Sequence, residues 1–298
     1  MKKLFFLLAA IILHNNLAIC QEVKQEFSKY VGPYLGQKAP NAIPEIFAPD
    51  LLPPNKPPHG SPVFTPDGNE MYLPGIKVMK NINGKWTNPV YASFSGKNGD
   101  INPTISPDGK KILYCSTIQL RPVGTYIVEK VENKWSEPKQ IDDIINTIQR
   151  EWDISISRKG NIYFSANIQG GFGGSDIYKS EFFNGKYSTP KNLGGRINNS
   201  NNVSAVYVSP DEDYIIYSSN MTEGEGDEDL YISFYKKDEG WGKGINMGKN
   251  INTKDAEVWP NVTPDGKYLF FIGVRNANAE IYWVSANIIE DIRLKQLH

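Results

Sequence analysis

The chain has 298 residues, enough for one large domain or two small ones. Its 32 lysines and arginines face 33 aspartates and glutamates, a formal net charge of -1, so the chain as a whole carries no electrostatic footprint for nucleic acid or an anionic membrane. The 16 Tyr, 13 Phe and 6 Trp, with 26 Gly and 20 Pro as turn material, suit an all-β protein of many short strands.

Residues 1–20 have the pattern of an export signal. Lys2 and Lys3 supply positive charge, Leu4 to Leu13 is an apolar run, and polar His14, Asn15 and Asn16 lead to a short segment ending at Cys20. The run is shorter than the roughly 20 residues that span a bilayer, so the mature chain is expected to be soluble or lipid-tethered. Leu17-Ala18-Ile19-Cys20 partly resembles a bacterial lipobox, which would lipidate Cys20. Ile19 stands where that motif takes a small residue, and ordinary cleavage near Cys20 is the other reading. Residues 21–43 form a lead-in without a repeat signature.

From there the chain repeats. One turn signature recurs five times: Thr65-Pro66-Asp67-Gly68, Ser106-Pro107-Asp108-Gly109, Ser157-Arg158-Lys159-Gly160, Ser209-Pro210-Asp211-Glu212 and Thr263-Pro264-Asp265-Gly266. The copies lie about 40 to 55 residues apart, the period of a propeller blade. Each sits between two strand-like runs, for example Thr104-Ile105 and Ile112-Leu113-Tyr114. Proline presets φ at the second turn position, Asp tolerates the third, and Gly supplies positive φ where the chain re-enters a strand. Downstream comes a third strand, clearest at Asp176-Ile177-Tyr178, Asp229-Leu230-Tyr231 and Glu280-Ile281-Tyr282. An aromatic residue follows, with Pro three places on in three copies: Trp86 and Pro89, Trp135 and Pro138, Tyr187 and Pro190, then Trp241 with Gly244. Three copies then carry Ile-Asn, at 145–146, 197–198 and 251–252.

The ends fix the topology. The copy begun at Thr263 has no aromatic segment after it, whereas the chain opens with an orphan one, Ile46-Phe47-Ala48-Pro49. Pairing the two closes a ring and removes an open sheet edge. The expected fold is therefore an all-β, five-bladed β-propeller with four-stranded blades, closed by an N-terminal outer strand. A sixth blade would need a degenerate repeat within 22–45, where no turn signature occurs. The propeller is expected over 44–290, with a C-terminal tail at 291–298. Cys115, inside the apolar run Lys111-Ile112-Leu113-Tyr114-Cys115, is expected to be a buried thiol, so no disulfide framework exists.

These hairpins resemble those of the TolB-type, WD-repeat-like propellers of bacterial envelopes. The stretch Tyr34-Leu35-Gly36-Gln37-Lys38 through Pro44 to Pro49 resembles the lead-in of exported members. The Gly-rich loop 170–174 before Asp176-Ile177-Tyr178 resembles propellers fused to OmpA-type domains. The likeness covers about residues 34–286. It implies a propeller, and it says little about activity, because propellers host many. Arg158-Lys159 and Glu212 depart from the pattern, and no OmpA-type domain is present.

Six residues before each turn Ser/Thr stand His59, Asp100, Glu151, Val203 and Glu257. If first strands line the channel, these form a ring at one mouth, able to coordinate a divalent cation such as Ca2+ or to receive a cationic ligand. The plainer alternative is strand-start residues facing water. Trp152 and Trp259 neighbour the ring as stacking surface or as packing between blades. The acidic loop Glu223 to Asp229 lacks the ligand series of a twelve-residue calcium loop and reads as a solvated surface loop. The Gly-rich loop at 170–174 lacks the Lys-Ser/Thr of a phosphate cradle and reads as a flexible inter-strand loop.

Catalytic signals are mostly negative. The histidines are His14, His59 and His298, and no Gly-x-Ser-x-Gly elbow occurs. The expectation is a non-catalytic protein- or glycan-binding or scaffold module of the cell envelope, periplasmic or outer-membrane-associated, monomeric, with no nucleic-acid partner. The alternative is a glycan-active or lactone-cleaving enzyme with a cation in the channel; carboxylate-pair chemistry stays open because distances are invisible in a sequence.

Overall fold

A computed structural model describes residues 26–52, 58–97, 99–117, 123–146, 148, 150–275 and 278–296. Five small antiparallel sheets follow one another in chain order as the blades of a closed propeller. The inner strands are Val63–Phe64, Asp100–Ile105, Arg150–Ile156, Val203–Val208 and Glu257–Val262. Each is followed by a second and a third antiparallel strand, and in blades 1 to 4 by short outer strands.

The turn signature is a hydrogen-bond device. In blade 1 the Thr65 hydroxyl donates to Asp67 Oδ1 (2.5 Å) and accepts from the Glu70 amide (3.0 Å), while Asp67 Oδ1 also accepts from the Asn69 amide (3.0 Å). Ser106 with Asp108, and Thr263 with Asp265, repeat the arrangement. Burial alone would raise these carboxyls, but the hydroxyl and amide donors outweigh it and hold all three below the usual carboxylate range. Gly109 (φ 71) has a second reason to be glycine: a Cβ there would sit 2.9 Å from Cδ of Pro66 in the neighbouring blade.

The Ile-Asn motif is equally physical. Ile145, Ile197 and Ile251 are buried between blades. The amide beside each replaces a missing strand partner: Asn198 Oδ1 accepts from the Ile177 amide (2.8 Å) and Nδ2 donates to the Ile177 carbonyl (2.9 Å). Asn252 grips Leu230 in the same way, and Asn146 accepts from Thr125.

Ring closure follows the expected route. Glu45–Ile46 pairs antiparallel with the third strand of blade 5, Glu45 opposite Trp283 and Ile46 opposite Tyr282. Phe47 then enters the core between blades 1 and 5, with its ring 4.9 Å from Phe270 and 5.1 Å from Trp283. Two features go beyond the expectation. Phe27–Val31, in the lead-in, adds an outermost strand to blade 1. Asn287–Lys295 forms a helix that buries Ile289 and Ile292 in the core shared by blades 4 and 5. Cys115 is buried, as expected, in no disulfide, with its Sγ 3.6 Å from the Thr125 hydroxyl. Cys20 and His298 lie outside the described residues.

Candidate functional site

Inner strands present side chains alternately to the channel and to the neighbouring blade. A bulge interrupts this alternation. Register shifts fall between Ile101 and Thr104, Arg150 and Ile154, Ser204 and Tyr207, and Val258 and Asn261. At its centre Asn102, Ala205 and Trp259 take left-handed backbone conformations, with φ of 51, 49 and 54. One inserted residue re-aims everything before it. As a result the residues lining the channel mouth stand four places before each turn Ser/Thr: Ser61, Asn102, Asp153, Ala205 and Trp259.

This corrects the ring inferred from sequence, which lay six places before the turn. Asp100 and Glu257 are fully buried within their blades. Each accepts hydrogen bonds from the loop that leads into its strand. Asp100 Oδ2 takes the Gly96 amide (2.5 Å), and Glu257 takes the Thr253 amide (2.8 Å) and hydroxyl (2.8 Å). Glu257 is also bonded by Arg275. Its carboxyl is pushed above the usual range by burial, which outweighs those donors. Val203, the blade 4 equivalent, is buried too. Glu151 and Trp152 lie on the inner strand of blade 3, and their side chains are outside the described residues. His59 is exposed at the rim, its ring 5.7 Å from Trp259 and edge-on to it. Of the sequence candidates, Trp259 lines the mouth and His59 borders it. Among the described residues, no three His, Cys, Asp or Glu side chains gather in a metal-holding group.

Hydrogen bonds cross the blade seams at the mouth. Asn102 Nδ2 donates to Asp153 Oδ1 (2.9 Å) across the seam between blades 2 and 3. The Ser61 hydroxyl donates to the Trp259 carbonyl (2.5 Å), and Asn261 Nδ2 donates to the Pro62 carbonyl (3.0 Å), across the closing seam. The neck encloses about 50 Å3, the space of one or two water molecules, and widens to about 130 Å3 at the turn face. The signal missed in the sequence was proline: Pro103 and Pro260 stand inside strands immediately after the ring positions, where proline is compatible with a bulge.

The two loops lie at the surface, and each is tied down by a buried carboxylate at its end. The Gly-rich loop, read from sequence as a flexible connector, is anchored by a carboxylate: Asp176 Oδ2, buried, accepts from the Phe172 amide (2.6 Å) and Asn192 Nδ2 (2.9 Å). A Cβ on Gly173 would strike the carbonyls of Asn199 and Asn201, where blade 3 is stitched to blade 4. The acidic loop keeps Glu223, Glu225 and Asp227 exposed, as expected, and is anchored in the same way. Asp229 is buried and bonded by the Glu225 amide and Asn246 Nδ2, and Gly226 meets the carbonyls of Thr253 and Asp255 in blade 5.

No protein-family model and no curated protein matches the chain. Solved structures similar to it include TolB from Acinetobacter baumannii, at 17% identity and a TM-score of 0.52, covering 78% of this chain and 52% of that one. The chain thus spans about half the length of that TolB. A TolB-type protein of Agrobacterium tumefaciens is 16% identical with a TM-score of 0.49, covering 74% of this chain and 70% of its own. A gluconolactonase of Xanthomonas campestris is 10% identical with a TM-score of 0.45, covering 74% and 69%. The fold is that of a TolB-like β-propeller.

Proposed function

We propose that the chain is an exported, non-catalytic binding module of the bacterial envelope that holds a protein or glycan partner on the face bearing the channel mouth. One observation carries this reading. Positions that serve the fold recur from blade to blade, as the turn Ser/Thr does in all five. The ring position, set in a left-handed bulge in blades 2, 4 and 5, differs in every blade: Ser61, Asn102, Asp153, Ala205 and Trp259. Non-Gly residues held in that conformation cost free energy and tend to cluster where a protein meets its ligand. An aromatic wall beside an amide–carboxylate pair offers stacking surface and directional acceptors. The nearby carboxylates Asp100 and Glu257 are engaged in their own strand starts. The leader-like residues 1–20 support export.

The test is capture from envelope extract, and titration with cell-wall fragments, using the parent chain and the variants Trp259→Ala and Asp153→Asn. Binding that weakens about tenfold or more in either variant supports the reading. Partner binding indifferent to both variants removes it. A hydrolytic activity lost in both variants would favour a glycan- or lactone-cleaving enzyme instead.

A further inference from the structure

The outer hairpins of blades 1, 2 and 3 share a surface feature that the fold does not require. In each, the hairpin strand ends on an apolar residue directly opposite a lysine: Ile82 and Val131, at the ends of the third strands of blades 1 and 2, face Lys85 and Lys134, and Phe183, ending the short strand Phe182–Phe183 after the third strand of blade 3, faces Lys186. The apolar tips are exposed by 38%, 63% and 76% respectively, and all three lysines are exposed. The tips are firmly built. Asn83 and Gly84 (φ 52 and 82) and Asn184 and Gly185 (φ 50 and 79) have the paired left-handed residues of a tight two-residue hairpin. Blade 4 lacks the feature: Lys236 stands opposite Gly240, with Asp238 and Glu239 between. In blade 5 the third strand ends at Ser285 and the chain turns into the C-terminal helix.

Equivalent positions in three consecutive blades of a closed ring lie at one height along its axis, so the tips define a plane. They are separated by polar turns, unlike the contiguous apolar core of a protein interface. Three spaced apolar tips, each beside a lysine, suit a flat and deformable surface. The apolar groups enter the boundary between headgroups and acyl chains, and the ammonium groups stay among anionic headgroups. The net charge of -1 conceals this: Glu132 stands in the blade 2 turn and Glu129 and Glu181 flank the hairpins of blades 2 and 3, but more acidic residues crowd the turn side of blade 4, at Asp211 to Asp213 and at Asp238 and Glu239. We propose that the outer hairpins of blades 1 to 3 dock the propeller on an anionic lipid bilayer.

The test is co-sedimentation of the full chain with vesicles of phosphatidylglycerol and phosphatidylcholine in equal parts, with phosphatidylcholine vesicles alone for comparison. Binding to the mixed vesicles only, falling steeply as salt is raised, is expected. The triple variant Lys85→Glu/Lys134→Glu/Lys186→Glu should weaken it at least ~10-fold. The triple variant Ile82→Ser/Val131→Ser/Phe183→Ser should weaken it by a similar factor. Lys236→Glu/Lys237→Glu in blade 4 should leave it nearly unchanged. All these sites are exposed, so an unchanged melting temperature shows that the variants fold. No binding to mixed vesicles, or binding by both triple variants equal to the parent's, overturns the proposal. So does a triple variant that loses a captured protein partner while the parent ignores vesicles.

Discussion

Ser157, in the turn of blade 3, donates its hydroxyl to Glu212, in the turn of blade 4, at 2.7 Å. In the regular turns this hydroxyl bonds an Asp two residues on in its own blade, but blade 3 has Lys159 there. Glu212 supplies the missing carboxylate from the next blade, standing at φ 60 where the other turns place glycine. Asn161 (2.7 Å), Tyr163 (2.9 Å) and Lys179 (2.9 Å) donate to the same carboxylate. The two departures from the repeat are therefore one complementary pair. The exposed pair beside it, Arg158 with Asp211, adds little by comparison.

A double-mutant cycle tests this complementarity. Glu212→Gly alone strips four donors of their acceptor and should cost about 2–4 kcal/mol. Lys159→Asp alone places a second carboxylate beside Glu212 and should also destabilise. The double variant rebuilds the regular turn, with carboxylate and glycine both in place. It should recover more than ~1 kcal/mol relative to the sum of the singles in denaturant unfolding. Simple additivity would mean that the two turns do not exchange a carboxylate.

The same group sets a pH dependence. Burial alone would raise the Glu212 carboxyl, but Lys179, Ser157, Tyr163 and Asn161 together pull it from 4.5 down to about 2. A carboxylate depressed in the folded state contributes stability that is fully present above its unfolded value and is lost as pH falls through its folded value. The parent should therefore lose melting temperature progressively between about pH 4.5 and about pH 2. Glu212→Gln should start from a lower melting temperature at neutral pH and fall less over that window. Asp67, Asp108 and Asp265 are depressed too, so some slope should remain. Parallel curves for parent and variant would show that Glu212 does not carry the titration.

Closure makes its own prediction. Phe47 is 1% exposed and packs against rings from blade 5. Phe47→Ala should cost about 3–5 kcal/mol, the range for a large core aromatic replaced by alanine. Because the lost contact also holds the closing strand, hydrogen exchange should rise first at the Phe47 amide, which donates to the Ile281 carbonyl at 2.8 Å. A loss spread evenly over all five blades would mean that the seam is no weaker than the rest.

How much of this was legible depended on whether a residue's task repeats. The turns, the third strands and the orphan segment at Phe47 announced five blades and their closure, because each copy solves the same local problem with the same residues. The channel ring was misplaced by two positions. An inserted residue changes which side chains face the axis, and a fixed offset from the turn cannot show an insertion; only Pro103 and Pro260 hinted at it. The glycines at 173 and 226 looked like flexibility, because the carbonyls they must clear belong to the next blade, about 30 residues on. Lys159 and Glu212 looked like two defects because their compensation runs between blades.

The Ile-Asn motif yields the last prediction. Asn198 is fully buried, and its amide satisfies both the amide and the carbonyl of Ile177 as well as Asn192 Oδ1 (2.7 Å). Asn198→Leu would fit the volume but leave those buried groups unpaired, at about 1–3 kcal/mol for each one stranded. Asn198→Asp keeps the acceptor for the Ile177 amide but sets a carboxylate against the Ile177 carbonyl, so it should fail as well, and more severely at neutral pH than in acid. Asn252→Leu should behave like Asn198→Leu, since Asn252 makes the matching bonds to Leu230 and Asn246. Circular dichroism melts of the three variants check this. Losses below ~1 kcal/mol would show that the third strand does not depend on the amide, and that the motif recurs because of its buried isoleucine alone.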